Sequence, residues 1–458
     1  MTTSSWHNRA LSGLLAAALL AGSVLLGLGT APAAHADDIR DREYWLSSYG
    51  VTKAWTVSRG AGVKVAVIDS GIDASHQDLK GAVTGGYDVS GSGSANGTKG
   101  IGQTPEHGTL VATLLAGRGH AAGSDKPKPG TVGAGPDGVI GVAPEAQILS
   151  VSAWLGSPNP SGKSVDAQIP EAVRWAVDHG AKVINMSLGS SSTEWPTSWD
   201  DAFLYAEQKD VVIVAAAGNR GVGMTQVGAP ATIPGVLTVA GLDRQGKASW
   251  DSSSQGISIG VAAPAEKLVG GLPGGRYADW SGTSGAAPLV SGVAALIRSK
   301  WPDMSAAQVI NRIISTAKDA GAPGQDPIYG FGILNVEAAL KAKVPVVTQN
   351  PLGSIAEWIR VHRRGSITAT PTSKGQAPAA PAPTLPEPTV PVAAQPAGLD
   401  EAVPMTAVLG SGALLLAVLA GAAVHLARAS RRLGGEEGRH GSHSAAAGQA
   451  KAGSKTGA

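Results

Sequence analysis

The chain has 458 residues, 43% of them hydrophobic and 15% charged, with 63 glycines, 29 prolines and a formal net charge of +2. That composition suits a large folded core with low-complexity appendages and excludes a wholly disordered chain, while the near-neutral balance, with no basic stripe interleaved with aromatics, gives no reason to expect nucleic acid as a partner. The absence of cysteine excludes disulfides, thiolate metal sites and cysteine nucleophiles, so stability has to come from burial.

Residues 1–36 read as a secretory signal peptide. His7 and Arg9 precede an apolar run from Leu11 to Leu28, and Ala34-His35-Ala36 places small residues around a cleavage point before Asp37; the alternative is an uncleaved N-terminal anchor. Residues 37–60, with Tyr44, Trp45, Ala54 and Trp55, form an extension too short to be a separate pro-domain. The folded domain is expected over 61–345. Within it Val63-Lys64-Val65-Ala66-Val67-Ile68, Gln147-Ile148-Leu149-Ser150-Val151, Lys182-Val183-Ile184-Asn185-Met186 and Val211-Val212-Ile213-Val214-Ala215-Ala216 read as strands. Most are near-continuously apolar, as strands of a parallel sheet covered on both faces are. Helical stretches at 171–179 and 199–208 each precede the next strand closely, which is βαβ spacing, and no repeat of solenoid length is present. Residues 346–404 are rich in Pro and Ala and predict an extended linker. Residues 405–426 are apolar and, at 1.5 Å per residue, long enough to span a hydrocarbon core roughly 30 Å thick. Arg428, Arg431 and Arg432 follow directly, which predicts a cytoplasmic tail at 427–458 and everything before the span outside the membrane.

In open α/β sheets, sites gather at the carboxyl ends of strands. The first strand ends in Asp69-Ser70-Gly71, which alone would more often be a turn. Glu106-His107-Gly108-Thr109 opens an apolar helix with His107 in its first turn, where a lone histidine is ordinarily just a satisfied side chain. Ala216-Ala217-Gly218-Asn219 carries a strand into a glycine turn and an amide able to donate to an oxyanion. Gly282-Thr283-Ser284 opens a long apolar helix and sets Ser284 near its positive dipole end, though such a triplet can be only a cap. Each element has an ordinary structural explanation; their coincidence in the order Asp, His, Asn, Ser does not.

That order, with Asp69-Ser70-Gly71, His107-Gly108-Thr109 and Gly282-Thr283-Ser284-x-Ala286-Ala287-Pro288, resembles the three signature motifs of the subtilases, and the likeness covers nearly all of 40–340. It implies a subtilisin-like three-layer α/β fold with a mainly parallel central sheet, to which the sequence adds one C-terminal transmembrane helix. It also implies a serine endopeptidase acting on polypeptide substrates without metal or cofactor. By the same resemblance Ser284 is the nucleophile, His107 the general base and then acid, Asp69 the residue orienting the imidazole, and Asn219 an oxyanion donor. Ser187, Leu188 and Gly189 become the edge to which substrate backbone adds, and Ala216, Ala217 and Gly228 the lining of an open, apolar specificity pocket. The overall plan is similar to the mycosins, membrane-anchored proteases associated with type VII secretion, which makes a secretion complex an expected partner and the cell membrane the expected location. A mainly structural role in such a complex, and a tethered degradative protease, are the rival readings. Three features depart from the pattern: no cysteine pins the extension or the loop 117–138, Gly285 stands where many subtilases have a larger residue, and Leu110 where many have His.

Overall fold

The computed structural model describes residues 36–121 and 132–363. The expected signal peptide before Ala36, the apolar span 405–426 and the tail 427–458 lie outside the described residues. No helix among the described residues is long and apolar enough to cross a membrane.

The strands run in chain order β1 (Lys64–Asp69), β2 (Val83–Asp88), β3 (Arg118–His120), β4 (Asp137–Ile140), β5 (Gln147–Ser152), β6 (Val183–Met186), β7 (Val212–Ala216), β8 (Leu237–Leu242), β9 (Ile259–Pro264), β10 (Leu268–Leu272) and β11 (Arg276–Trp280). Seven of them form a parallel sheet in the order β2-β5-β1-β6-β7-β8-β9, while β3 with β4 and β10 with β11 make two antiparallel pairs. Helices α1 (Ala36–Asp41), α2 (Tyr44–Ser48) and α3 (Val51–Ala54) precede the sheet. Then follow α4 (His107–Ala116), α5 (Val165–Asp178), α6 (Thr197–Gln208), α7 (Thr283–Lys300), α8 (Ala306–Ser315), α9 (Val336–Lys341) and α10 (Ile355–His362).

Because side chains alternate across a strand, one run of apolar residues feeds two cores. Val65 and Val67 of β1 meet Val111 and Leu115 of α4 and Val290 and Val293 of α7. Ala66 and Ile68 face the opposite layer, with Ile169 and Val173 of α5 and Phe203 of α6. The expected three-layer α/β architecture with a parallel sheet is therefore present. Helix α7 is buried nearly all round, as its predominance of Ala, Val, Leu and Ile with only small residues between them requires.

Three boundaries differ from the sequence reading. Helix α5 begins at Val165 rather than 171 and continues through Pro170, because Gln168, Ile169, Ala172 and Val173 are all buried against the sheet and Gln168 bonds to the backbone of Trp154 and Lys163. The linker does not start at 346. Residues 346–363 remain on the domain: Gly235 N–H donates to Leu352 O at 3.0 Å, Asn350 donates back to Gly235 O at 2.9 Å, and α10 lies against α6 with Ile355 buried. Ile355, Trp358 and Ile359 sit at helical spacing, an amphipathic signal that the Pro/Ala composition further along masks. The extension 37–60 is likewise part of the core, with Ile39, Trp45, Leu46, Val51 and Ala54 buried in the α4/α7 layer.

Without cysteines the extension is held by polar contacts. Arg40 donates to the carbonyls of Gly135, Asp137 and Gly138 and pairs with the buried Glu43, which accepts from Ile140 N–H; Trp55 Nε1 donates to Val142 O at 2.8 Å. Burial raises the Glu43 pKa well above the usual carboxylate range, Arg40 and the Ile140 N–H opposing the shift only in part.

Candidate active site

Asp69 is the last residue of β1 and only 1% exposed. Its Oδ1 accepts from Ser70 N–H at 2.7 Å and faces His107 Nδ1 at 2.8 Å, whereas Oδ2 is buried and has no hydrogen-bond partner. Burial disfavours charge on the imidazole, but the Asp69 carboxylate, through its charge and its hydrogen bond, and then Glu106 outweigh that cost, so the His107 pKa is raised. One hydrogen bond and one backbone approach bring strand end and helix start together. Ser70 Oγ accepts from Gly108 N–H at 2.9 Å, and a Cβ on Gly108 would lie 2.3 Å from Gly71 O. Gly71 itself has φ +104° and sits where a Cβ would meet Lys99 O at 2.3 Å.

Ser284 is placed from the neighbouring strand. β1 pairs with β6 in parallel, Val67 opposite Asn185, so β6 ends beside Asp69 one strand spacing, about 4.8 Å, away. Just past that end, Ser187 Oγ donates to Ser284 O at 2.8 Å and Ser284 Oγ donates to Ser187 O at 3.2 Å. A buried polar chain fixes this junction: Ser291 Oγ of α7 donates to Asn185 Oδ1 and Asn185 Nδ2 to Ser187 Oγ, at 2.8 and 2.9 Å. The nucleophile candidate thus rests on a carbonyl rather than on His107, and its hydroxyl must leave Ser187 O before a base can take its proton, a geometry frequent in unliganded sites.

Asn219 follows β7. Its Oδ1 accepts from Thr283 N–H at 2.8 Å and from Thr283 Oγ1 at 3.0 Å, which settles the amide orientation and leaves Nδ2 free to donate beside the N-terminus of α7. Thr283 is completely buried; its Oγ1 accepts from Gly218 N–H at 3.1 Å and shares its one proton between Asn219 Oδ1 and Gly218 O, the latter at 3.1 Å, so backbone and hydroxyl hold the amide from two sides.

The residues read as substrate-binding fall into two groups. Gly189 is exposed with open space over its Cα, and the backbone N–H groups of Leu188 and Gly189 find no acceptor among the described residues. Ala216 and Ala217 are buried on opposite faces of the sheet, and Gly228 is pressed against Ser190 O, where a Cβ would come within 1.8 Å. Around His107, the room a larger residue at 285 would take is filled: a Cβ there would meet Leu268 Cδ1 at 2.4 Å and the Trp280 ring at 3.4 Å. Trp280 also stands edge-on to the His107 ring at 5.7 Å between centroids, and Leu110 packs against the same wall, a Cβ on Gly270 lying 3.0 Å from both Leu110 Cδ2 and Trp280 Nε1.

Sequence reasoning missed Thr283, Asn185, Ser291 and Trp280 as supports. Asn185 and Ser291 carry one visible signal, a polar residue interrupting an otherwise apolar run, and Thr283 is marked only by standing beside Ser284. For Trp280 no signal exists before the β10–β11 hairpin is folded.

A carboxylate, an imidazole, a serine at a helix N-terminus and an amide donor, gathered at the carboxyl ends of a parallel sheet, define a serine endopeptidase of the subtilisin type. Residues 60–332 match the Subtilase family, and the chain belongs to it. Subtilisin DY of Bacillus licheniformis is 40% identical over 286 residues, 61% of this chain and 92% of that protein. Fervidolysin of Fervidobacterium pennivorans is 32% identical over 347 residues, 70% of this chain and 46% of that one. Among solved structures, MycP1 from Mycobacterium smegmatis matches with a TM-score of 0.54 at 30% identity, over 67% of this chain and 86% of that chain. The MycP3 protease from the type VII (ESX-3) secretion system gives 0.51 at 32%, over 69% and 90%.

Proposed function

We propose that the chain cleaves a narrow set of exported polypeptides at the cell envelope through an acyl-enzyme on Ser284, in connection with type VII secretion. Ser284 Oγ attacks the scissile carbonyl carbon while His107 Nε2 takes its proton; the C–N bond then breaks as His107 returns the proton to the leaving amine. Water, deprotonated by the same imidazole, hydrolyses the ester and frees Ser284. Asp69 holds the ring and stabilises its cation, and Asn219 Nδ2 with the Ser284 N–H receives the oxyanion. The 2.8 Å bond between the buried Asp69 and His107, with Ser284 bonded to Ser187 just past the end of the adjacent strand, is the observation that carries this reading.

The secretion setting is supported by the likeness to MycP1 and MycP3, and the envelope setting by the apolar span 405–426 with arginines behind it. In this reading the catalytic domain lies outside the membrane and the tail 427–458 in the cytoplasm. Reaction of the full-length protein with a fluorophosphonate probe tests the chemistry: labelling should vanish in Ser284→Ala and fall steeply in His107→Ala. A folded wild type that never labels would remove the protease reading. A thiol-reactive, membrane-impermeant dye applied to intact cells tests the topology, since a cysteine engineered at Gly189 should react and one at Gly434 should not.

A further inference from the structure

Of the seven large apolar side chains exposed among the described residues, four stand on one set of bonded loops beside the oxyanion residue. They are Val222 and Trp250, each 73% exposed, Ile257 at 89% and Ile328 at 42%. Backbone bonds tie these loops into one surface: Gly221 N–H to Asp251 O at 2.9 Å, Val227 N–H to Gln255 O at 3.1 Å and Gly256 N–H to Pro327 O at 2.9 Å, with Gln325 Nε2 on Ile257 O at 3.1 Å. Continuity with the cleft is direct, because the first loop begins at Asn219 and Ser254 N–H donates to Gly218 O at 2.7 Å.

Arg220 lies on the first of these loops, against Trp250. Its guanidinium sits 4.1 Å from the Trp250 ring centroid and donates to Trp250 O and Gln255 Oε1, yet no carboxylate among the described residues comes within ion-pair distance. The arginine is therefore held against the indole by neutral groups, with its charge left for something outside the domain. Scattered apolar side chains on a surface are ordinary, but a connected group around an unneutralised cation at the mouth of a cleft marks a binding surface.

We infer that this surface is a docking site for the polypeptide being cleaved, and that it selects chains carrying apolar side chains and a carboxylate near the scissile bond. The inference rests on the protease reading. The occupant is the substrate itself because the patch is continuous with the cleft, and its acidic character follows from Arg220.

The test uses the full-length protein and synthetic peptides sharing one cleavable core, flanked on the amino or the carboxyl side by either a Leu/Glu segment or a Ser/Lys segment. Wild type should cleave the Leu/Glu-flanked peptide of at least one series about tenfold more efficiently in kcat/KM than its Ser/Lys counterpart. Arg220→Gln and the double variant Trp250→Ser/Ile257→Ser should each reduce that preference several-fold, while fluorophosphonate labelling stays at the wild-type rate. Equal cleavage of both flanks, or a preference untouched by both variants, overturns the docking site and leaves the protease reading standing; loss of labelling in the wild type would instead remove the protease reading.

Discussion

Two histidine–aspartate pairs in this molecule have almost the same geometry. His107 Nδ1 lies 2.8 Å from Asp69 and His120 Nδ1 2.7 Å from Asp78, with both carboxylates buried and the imidazoles 24% and 21% exposed. Their surroundings separate them. Asp78 has both oxygens engaged: besides His120 on Oδ1, Oδ2 accepts from Val139 N–H at 2.8 Å and from the Tyr277 hydroxyl at 2.9 Å, and burial, followed by the Asp78 charge, raises the Tyr277 pKa so that the phenol stays a donor. Asp69 keeps one buried oxygen unpartnered, and past the end of the adjoining strand Ser284 Oγ makes a single 3.2 Å bond to Ser187 O while Asn219 Nδ2 donates to no described residue. A pair whose bonds are all made locks β4, the 77–79 turn and the β10–β11 hairpin together; a pair with bonds left over can take part in a reaction.

Breaking each pair should separate the roles. Ser284→Ala should lower kcat/KM on a peptide substrate by about 10⁴-fold or more while the thermal midpoint barely moves. Asp69→Asn should cost activity about 10⁴-fold with little loss of stability, whereas Asp78→Asn should leave activity per folded molecule near wild type and lower unfolding free energy by about 3 kcal/mol in urea titrations. If Asp78→Asn instead silenced a stable enzyme, the division between the two pairs would be wrong.

A smaller effect is expected at the amide. Thr283→Val removes one of the two bonds that hold Asn219, and should reduce kcat by about tenfold to a hundredfold with KM little changed, less than the roughly 3 kcal/mol expected for Asn219→Ala. The pH profile sharpens the contrast further. The general base must be neutral, and His107 has a raised pKa, so kcat/KM should climb with pH through a midpoint above the ordinary histidine value of about 6.5 and move to lower pH in Asp69→Asn, with His120→Gln leaving the midpoint in place.

The smallest change concerns the extension. Because the folded-state pKa of Glu43 is raised, the folded protein binds its proton more tightly than the unfolded chain does. That contribution is present below the unfolded pKa and is lost as pH rises toward the folded one. Chemical denaturation of wild type and Glu43→Gln should therefore show the difference shifting toward wild type as pH falls from neutral.

Much of the site was legible in order along the chain: Asp69, His107, Asn219 and Ser284 each stand at a strand end or helix start that local pattern already marked. The wall formed by Trp280, Leu268 and Leu110 was not, since it depends on a hairpin folding over α4 from more than 150 residues away. The end of the domain was misread for a similar reason, as α10 is a short amphipathic helix whose apolar face has meaning only against α6.

By itself the sequence determined which chemical groups are present and where the chain changes direction, because alternation, helical spacing and glycine turns act over a few residues. The motifs already joined Asp69 to His107, but only the tertiary structure brought His120 to Asp78 and decided what each pair is left free to do. The two pairs span 38 and 42 residues, and separation along the chain does not distinguish them. What does is the register of β1 beside β6, which sets the Ser187–Ser284 junction just past the strand end beside Asp69, and the packing of β4 and the β10–β11 hairpin around Asp78, which engages both oxygens of that carboxylate.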